Sequence, residues 1–348
     1  MYAKIFRTML IFFLIAGGFF APVSQAHAAT IRTVTNDNDS GTGSLRQAIL
    51  NAASGDTITF DPLLAGKTIT LASQIDINKN LTIDGSGLEP RVTISGNNSV
   101  RVMSISANTT ATIKSLVIKN GKRTGTNYTE FGGAITTGSN SVLSIENVAF
   151  IGNSAYRAGA IYVGSSANVT VFKSEFTTNS SETLGGAIYV NGYLTLRNSA
   201  LTGNTASSGG AVYIYYKSGT FENNGFSNNS AKSGGAFIIE QGSNNEVYMR
   251  NNLFSGNLAT TTNGGALNIY LTSIPAILNI ENNTFYANQA ANSGGAIYNY
   301  GSAILRNNTF SHNQANKSGG NAGASLYGGG TLYNNIFANN TGGGECYG

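Results

Sequence analysis

The sequence predicts an all-β solenoid, a right-handed parallel β-helix, and three observations lead there. Two short motifs, Gly-Gly-Ala and Phe-x-x-Asn, recur in a fixed order over most of the chain. Between them lie short segments of β-branched and aromatic residues that alternate with a period of two, the signature of strands with one buried face. The composition agrees: 348 residues carry 44 Gly and 44 Asn but only 10% charged residues. A chain so apolar, at 41% hydrophobic, and so dense in turn formers is neither disordered nor rich in helices.

The elements follow in chain order. Lys4 and Arg7 precede an uninterrupted apolar run over 9–23, and then comes Ala26-His27-Ala28. This is the layout of a secretory signal, taken here as residues 1–28. The run is short of the roughly 20 residues that span a bilayer, and no later stretch is apolar enough, so the mature chain is expected to be exported without a transmembrane span. Removing Lys4 and Arg7 leaves 18 basic residues (20 − 2) against 16 acidic. That excess does not argue for nucleic acid. The single cysteine, Cys346, excludes an intrachain disulfide.

Residues 29–121 read as an N-terminal cap and the first coils. Ser44 is placed to N-cap a short helix over 44–52, with Leu45, Ala48 and Ile49 on one face. Alternating segments at 57–60, 67–71, 81–83, 91–94 and 111–118 read as strands. All six Asp, from Asp37 to Asp84, fall in this zone.

Residues 122–348 are the repeat zone, continuous with the cap. Phe-x-x-Asn places Asn153, Asn179, Asn204 (after Leu201), Asn229, Asn257, Asn288, Asn313 and Asn340 at spacings of 26, 25, 25, 28, 31, 25 and 27. A near-constant period in this range marks a solenoid. One repeat, 185–208, holds three strand patterns, at 187–190, 194–198 and 200–204, so three strands per coil are expected. Coils then rise by about 4.8 Å, with the Phe column inside and the Asn column forming an amide ladder at a bend. In the same register Arg197, Glu222, Arg250, Glu281 and Arg306 stack with alternating sign. Opposite charges as cross-strand neighbours attract, so this column reads as a solvent-facing ion-pair ladder.

The ordered array of Gly-Gly-Ala and Phe-x-x-Asn over 131–340 resembles the polymorphic outer-membrane protein repeats of chlamydial autotransporters. More broadly the chain is similar to the pectin-lyase-like right-handed β-helix superfamily, and Gly43-Ser44-Leu45-Arg46-Gln47-Ala48 followed by 55–60 resembles the opening cap of secreted bacterial β-helices. The resemblance implies a secreted or surface-exposed passenger, often adhesive, in some cases associated with the outer membrane. The chlamydial family ends in a membrane β-barrel, whereas this chain stops inside a repeat at Gly348.

That superfamily also contains polysaccharide lyases and hydrolases, which work through clustered acidic groups. Here no Asp follows Asp84, and the carboxylates do not line up in adjacent coils as two-carboxylate hydrolysis requires. Glu175 or Glu182 with Lys173 is the one lyase-like grouping. His27 leaves with the signal, so His312 alone remains, and neither a zinc site nor a Ser-His-Asp triad can be assembled. Asp37-Asn38-Asp39-Ser40-Gly41 has the start of a Ca²⁺ loop but Ala48 at its twelfth position, and reads as a turn. No catalytic residue, metal or cofactor is assigned. The best candidate is aromatic: Tyr162, Tyr189, Tyr213 and Tyr298 point outward from the Gly-Gly-Ala strands, joined by Tyr215, Tyr270 and Tyr300 two residues on. Such a face suits stacking on sugar rings or anchoring a cell-surface protein; the same tyrosines would also stabilise the sheet as cross-strand pairs. The expected role is a non-catalytic, adhesin-like surface protein; the alternatives are a carbohydrate-active β-helix enzyme and a structural spacer.

Overall fold

The computed structural model describes residues 28–123, 125, 131–215, 217–241, 246–271, 277–317 and 322–347; the expected signal lies almost wholly outside them. Among the described residues the chain forms a β-helix of four parallel sheets, with 12, 11, 11 and 8 strands. Each strand pairs with its equivalent one coil away, as in Leu143↔Val169↔Leu194↔Gly219↔Val247.

Ser44 caps the helix Leu45–Asn51 as expected, its hydroxyl accepting from Gln47 N, and Leu45 and Ile49 are buried. The loop at Asp37 to Gly41 is a turn pinned by an Asp39–Arg46 ion pair of 2.6 Å. Asp56, fully buried, pairs with Arg32 at 2.7 Å and accepts from Thr30 N and Ala53 N, so its charge is satisfied. The single strand expected over 111–118 is two, Thr110–Lys114 and Val117–Lys119. Ser115 between them takes a left-handed φ of 53° and bends the chain into the next sheet.

Inside the repeats the Phe column stacks, with ring centroids 4.9 Å apart for Phe226 and Phe254 and 4.8 Å for Phe254 and Phe285. That spacing is the coil rise itself. The Asn column is buried from Asn153 to Asn313: after Asn153, whose Oδ1 accepts from Gly121 N, each Oδ1 accepts from the main-chain N and the side-chain Nδ2 of the Asn one coil earlier, as Asn229 does from Asn204 at 3.0 and 2.9 Å. Each Nδ2 also donates to a carbonyl one coil back, as Asn229 does to Leu201 at 2.9 Å. A second buried amide ladder was not anticipated. In the pairs Asn223-Asn224, Asn251-Asn252, Asn282-Asn283 and Asn307-Asn308 the first residue adopts left-handed φ of 55–57°, which Asn tolerates. The second turns its amide inward, Asn224 donating to Asn252 Oδ1 at 3.0 Å and so on to Asn335.

The coil carries four strands rather than three. Short segments such as Ser180–Leu184, Thr205–Ser208 and Ser230–Ser233 form the eight-stranded sheet. After each ladder Asn the chain runs outward through this strand and returns at Gly-Gly, which lies against the start of the same strand one coil on.

The ion pairs of the expected column form. Arg197–Glu222 is 3.0 Å, Arg250–Glu281 3.1 Å and Arg306–Glu281 3.4 Å; Lys114–Glu146 at 3.6 Å is a separate pair in the same column, beyond Phe172. These side chains are solvent-facing, so each pair is worth well under 1 kcal/mol. Arg250→Glu stacks like charges over three coils; a loss of about 1 kcal/mol is expected in urea denaturation at low salt, fading at about 1 M NaCl. An unchanged midpoint at low salt would show that the column is electrostatically inert.

Candidate functional site: the tyrosine corner

The Gly-Gly-Ala strands place the seven predicted tyrosines in two outward columns. Tyr162, Tyr189 and Tyr213 are register partners, followed by Ile238 and Asn268 before Tyr298 and Tyr327. The second column runs Tyr215, Glu240, Tyr270, Tyr300. Both columns are therefore real, but each is interrupted, the first by Ile238 and Asn268 and the second by Glu240.

The expected open aromatic face is not what the fold makes of them. Tyr189 and Tyr213 are only 4% and 6% exposed, in a satellite cluster with Ala158 and Ile238 against which Leu184 and Tyr270 pack. The cause is the returning short strand. Its end, at Ala158 and Leu184, folds back at the Gly-Gly turn and walls the first column, so that outward side chains lie in a concave corner. Phe131 stacks on Tyr162 at 4.2 Å, with the Arg157 guanidinium 5.8 Å from the centroids of both Phe131 and Tyr189. Tyr162, Tyr270 and Tyr298 are half-buried, whereas Tyr215 and Tyr300 remain open at 39% and 70%.

Burial pushes the Tyr189 and Tyr213 hydroxyls far above the ordinary phenol range, and Tyr213 is held further by its hydrogen bond to Glu240. Both hydroxyls are therefore proton donors at any physiological pH, not bases. Burial, with Tyr327 alongside, raises Tyr298 in the same direction. Farther along, Tyr298 and Tyr327 stack at 4.9 Å and Tyr327 and Tyr347 at 5.3 Å. Here Asn299, Tyr300, Ser302, Tyr327 and Tyr347 line a cleft of about 520 Å³. The glycines at 328–330 leave it open, and sequence reasoning did not find it because Tyr327 and Tyr347 follow irregular repeats.

Among the described residues neither Glu175 nor Glu182 forms an ion pair with Lys173. Glu175 belongs to the Phe-x-x-Asn sheet, on the strand Glu175–Thr177, while Glu182 lies on the eight-stranded sheet beyond the Asn179 bend. Lys173 turns its ammonium over the Phe172 ring at 5.1 Å. His312 faces Tyr286 across 5.4 Å and bonds Ser311. Among the described residues no three His, Cys, Asp or Glu side chains form a metal-holding group, and no helix is long and apolar enough to cross a membrane.

A family model for the right-handed beta-helix region matches residues 132–342. The structure is similar to that of a mutant of the PL6 family alginate lyase AlyGC, with a TM-score of 0.53 and 17% identity over 90% of this chain and 42% of the lyase. It is also similar to the catalytic unit of a thermostable GH87 alpha-1,3-glucanase from Streptomyces thermodiastaticus strain HF3-3, with a TM-score of 0.50 and 14% identity over 91% of this chain and 69% of that one. The chain thus spans about two fifths of the lyase's length, and at such identities the likeness is one of fold. No curated protein matches the sequence.

Proposed function

The chain belongs to the right-handed β-helix family, and from that premise we propose that it is a carbohydrate-active β-helix that holds polysaccharide along the tyrosine corner. The observation that carries this reading is the second column, where Tyr215, Tyr270 and Tyr300 stand in register on successive or alternate coils beside the aromatic cleft of Tyr327 and Tyr347. Tyrosine gives a rigid apolar plane for a sugar ring and a hydroxyl for its edge. Coils advance by about 4.8 Å, so a glycan laid along the axis meets a new side chain of this column at every coil. The alginate lyase and the alpha-1,3-glucanase are enzymes of polysaccharides, which favours the carbohydrate-active alternative over the adhesin expected from the sequence.

An exported location goes with this reading, because a secretory signal pattern opens the chain and the repeats resemble those of chlamydial surface proteins. The test is gel retardation and calorimetry with soluble polysaccharides, alongside assays for new reducing ends and for unsaturated products. Binding to at least one polysaccharide is expected, weakened about tenfold by Tyr300→Ala combined with Tyr215→Ala without a change in melting temperature. No retardation and no turnover across neutral and acidic polysaccharides would sink the proposal.

A further inference from the structure

Beyond ring stacking, the corner carries two polar groups whose chemistry narrows the glycan. Glu240 is the residue between Tyr215 and Tyr270 in the second column, one coil from each. It is half-buried, and its carboxylate takes the Tyr213 hydroxyl proton as a hydrogen bond. One donor leaves most of a carboxylate's acceptor capacity unused. On the floor behind it lies Asn268, in the first column and fully buried. Its Nδ2 contacts Ser233 Oγ at 2.7 Å and the Tyr270 hydroxyl at 3.0 Å, while its Oδ1 has no partner. Turning the amide over exchanges which atom is open but still leaves one open. A buried polar group left unpaired is costly, and here it lies behind Tyr270 in the corner where a ligand would lie.

From Tyr213 to Tyr347 the outward positions of this sheet hold one charge among the described residues, and it is negative. The cleft at the far end is lined by uncharged residues. A half-buried carboxylate framed by aromatic planes accepts hydrogen bonds from vicinal hydroxyls and repels anions. We infer that the stretch around Glu240, Asn268, Tyr270 and Tyr300 is a subsite for neutral, hydroxyl-rich sugar units, so that the protein prefers neutral polysaccharides to polyuronates. This rests on the carbohydrate-active reading and adds the substrate class to it. The opposing features are Arg157, over the rings at the other end of the corner, and Lys232, exposed on the strand Ser230–Ser233. A polyuronate would have to anchor on these.

The experiment is calorimetry of the full chain and of Glu240→Gln and Glu240→Ala with soluble starch, xyloglucan, alginate and polygalacturonate, with melting temperatures as a check on folding. The expected result is binding to a neutral polysaccharide at least about tenfold tighter than to either polyuronate. Glu240→Ala should weaken it by about tenfold, the scale of one lost charge-assisted hydrogen bond. Glu240→Gln, which keeps an acceptor for Tyr213 and removes the charge, should narrow the gap to the polyuronates. Equal or tighter binding of a polyuronate by the unaltered chain overturns the inference and leaves the broader reading standing. So does neutral-glycan binding indifferent to both substitutions in a folded protein. Failure to bind any of the four removes the reading and the inference together.

Discussion

Asn229→Ala is expected to cost roughly 3–5 kcal/mol of folding stability, measured by urea denaturation. Asn229 lies in mid-ladder, fully buried. Its Oδ1 takes hydrogen bonds from Asn204 N and Nδ2, and its Nδ2 serves Leu201 O and Asn257 Oδ1. Truncation strips the partner from Asn204 and Leu201 in an interior that water does not reach, and each orphaned group costs about 1–3 kcal/mol. Asn340→Ala removes the same chemistry near the exposed end, where the equivalent bonds to Asn313 are only part-buried; about 1 kcal/mol is expected because water can substitute. Equal effects at the two positions would mean that burial does not set the strength of the ladder.

Asn229→Asp sharpens the point through pH. The new carboxyl would face the acceptors Leu201 O and Asn257 Oδ1 with no proton to offer. Its charged form is disfavoured by burial and by those oxygens, so its pKa is raised on folding. A group raised on folding is least damaging at pH below its unfolded value and becomes progressively more destabilising as pH rises through the folded value. The deficit relative to the unaltered protein should therefore shrink on acidification toward pH 4 and grow toward neutrality, read as the difference in urea midpoint.

The ladders also show what a sequence can disclose in such a fold. Phe226-x-x-Asn229 was legible because a strict period multiplies a weak signal, and the ion ladder from Arg197 to Arg306 because alternating sign is meaningful only if coils stack. The second ladder was equally present, in Asn223-Asn224 and its equivalents. Without geometry nothing says that the first Asn of a pair makes the bend and the second enters the core. The fourth strand was hidden for a different reason: Thr205–Ser208 and Ser230–Ser233 are Ser-, Ala- and Lys-bearing segments of low β-propensity, held extended by their neighbours in adjacent coils. The corner followed from that omission. Alternation turns Tyr189 and Tyr213 outward from the core, but outward is exposed only where no further strand lies on that side, and here the fourth strand does. The polar residues that give the corner its character, Glu240 and Asn268, look from sequence like gaps in an aromatic column.

The Gly-Gly turn is the joint on which that corner depends, and Gly210→Ala should therefore be severely destabilising or prevent folding. A Cβ at Gly210 would lie 2.1 Å from Gly235 O and 2.8 Å from Ser230 N and O. All are backbone atoms of the next coil, which a rotamer change cannot move aside. Relief requires coils to separate, breaking the parallel ladder on both sides, so a loss above about 4 kcal/mol is expected. Gly209→Ala acts through conformation as well, since Gly209 holds a φ of 65° that an L side chain adopts at a cost. The decisive control is Gly225→Ala, in the strand Gly225–Ser227. It has the same glycine chemistry in the same repeat, but nothing lies within 4 Å of the added carbon. There the substitution should leave the urea midpoint unchanged or raise stability by about 0.5 kcal/mol, because it restricts the unfolded chain without straining the folded one. If Gly210→Ala and Gly225→Ala melt alike, close approach of successive coils is not what fixes glycine in the repeat. The walls of the tyrosine corner would then need another explanation.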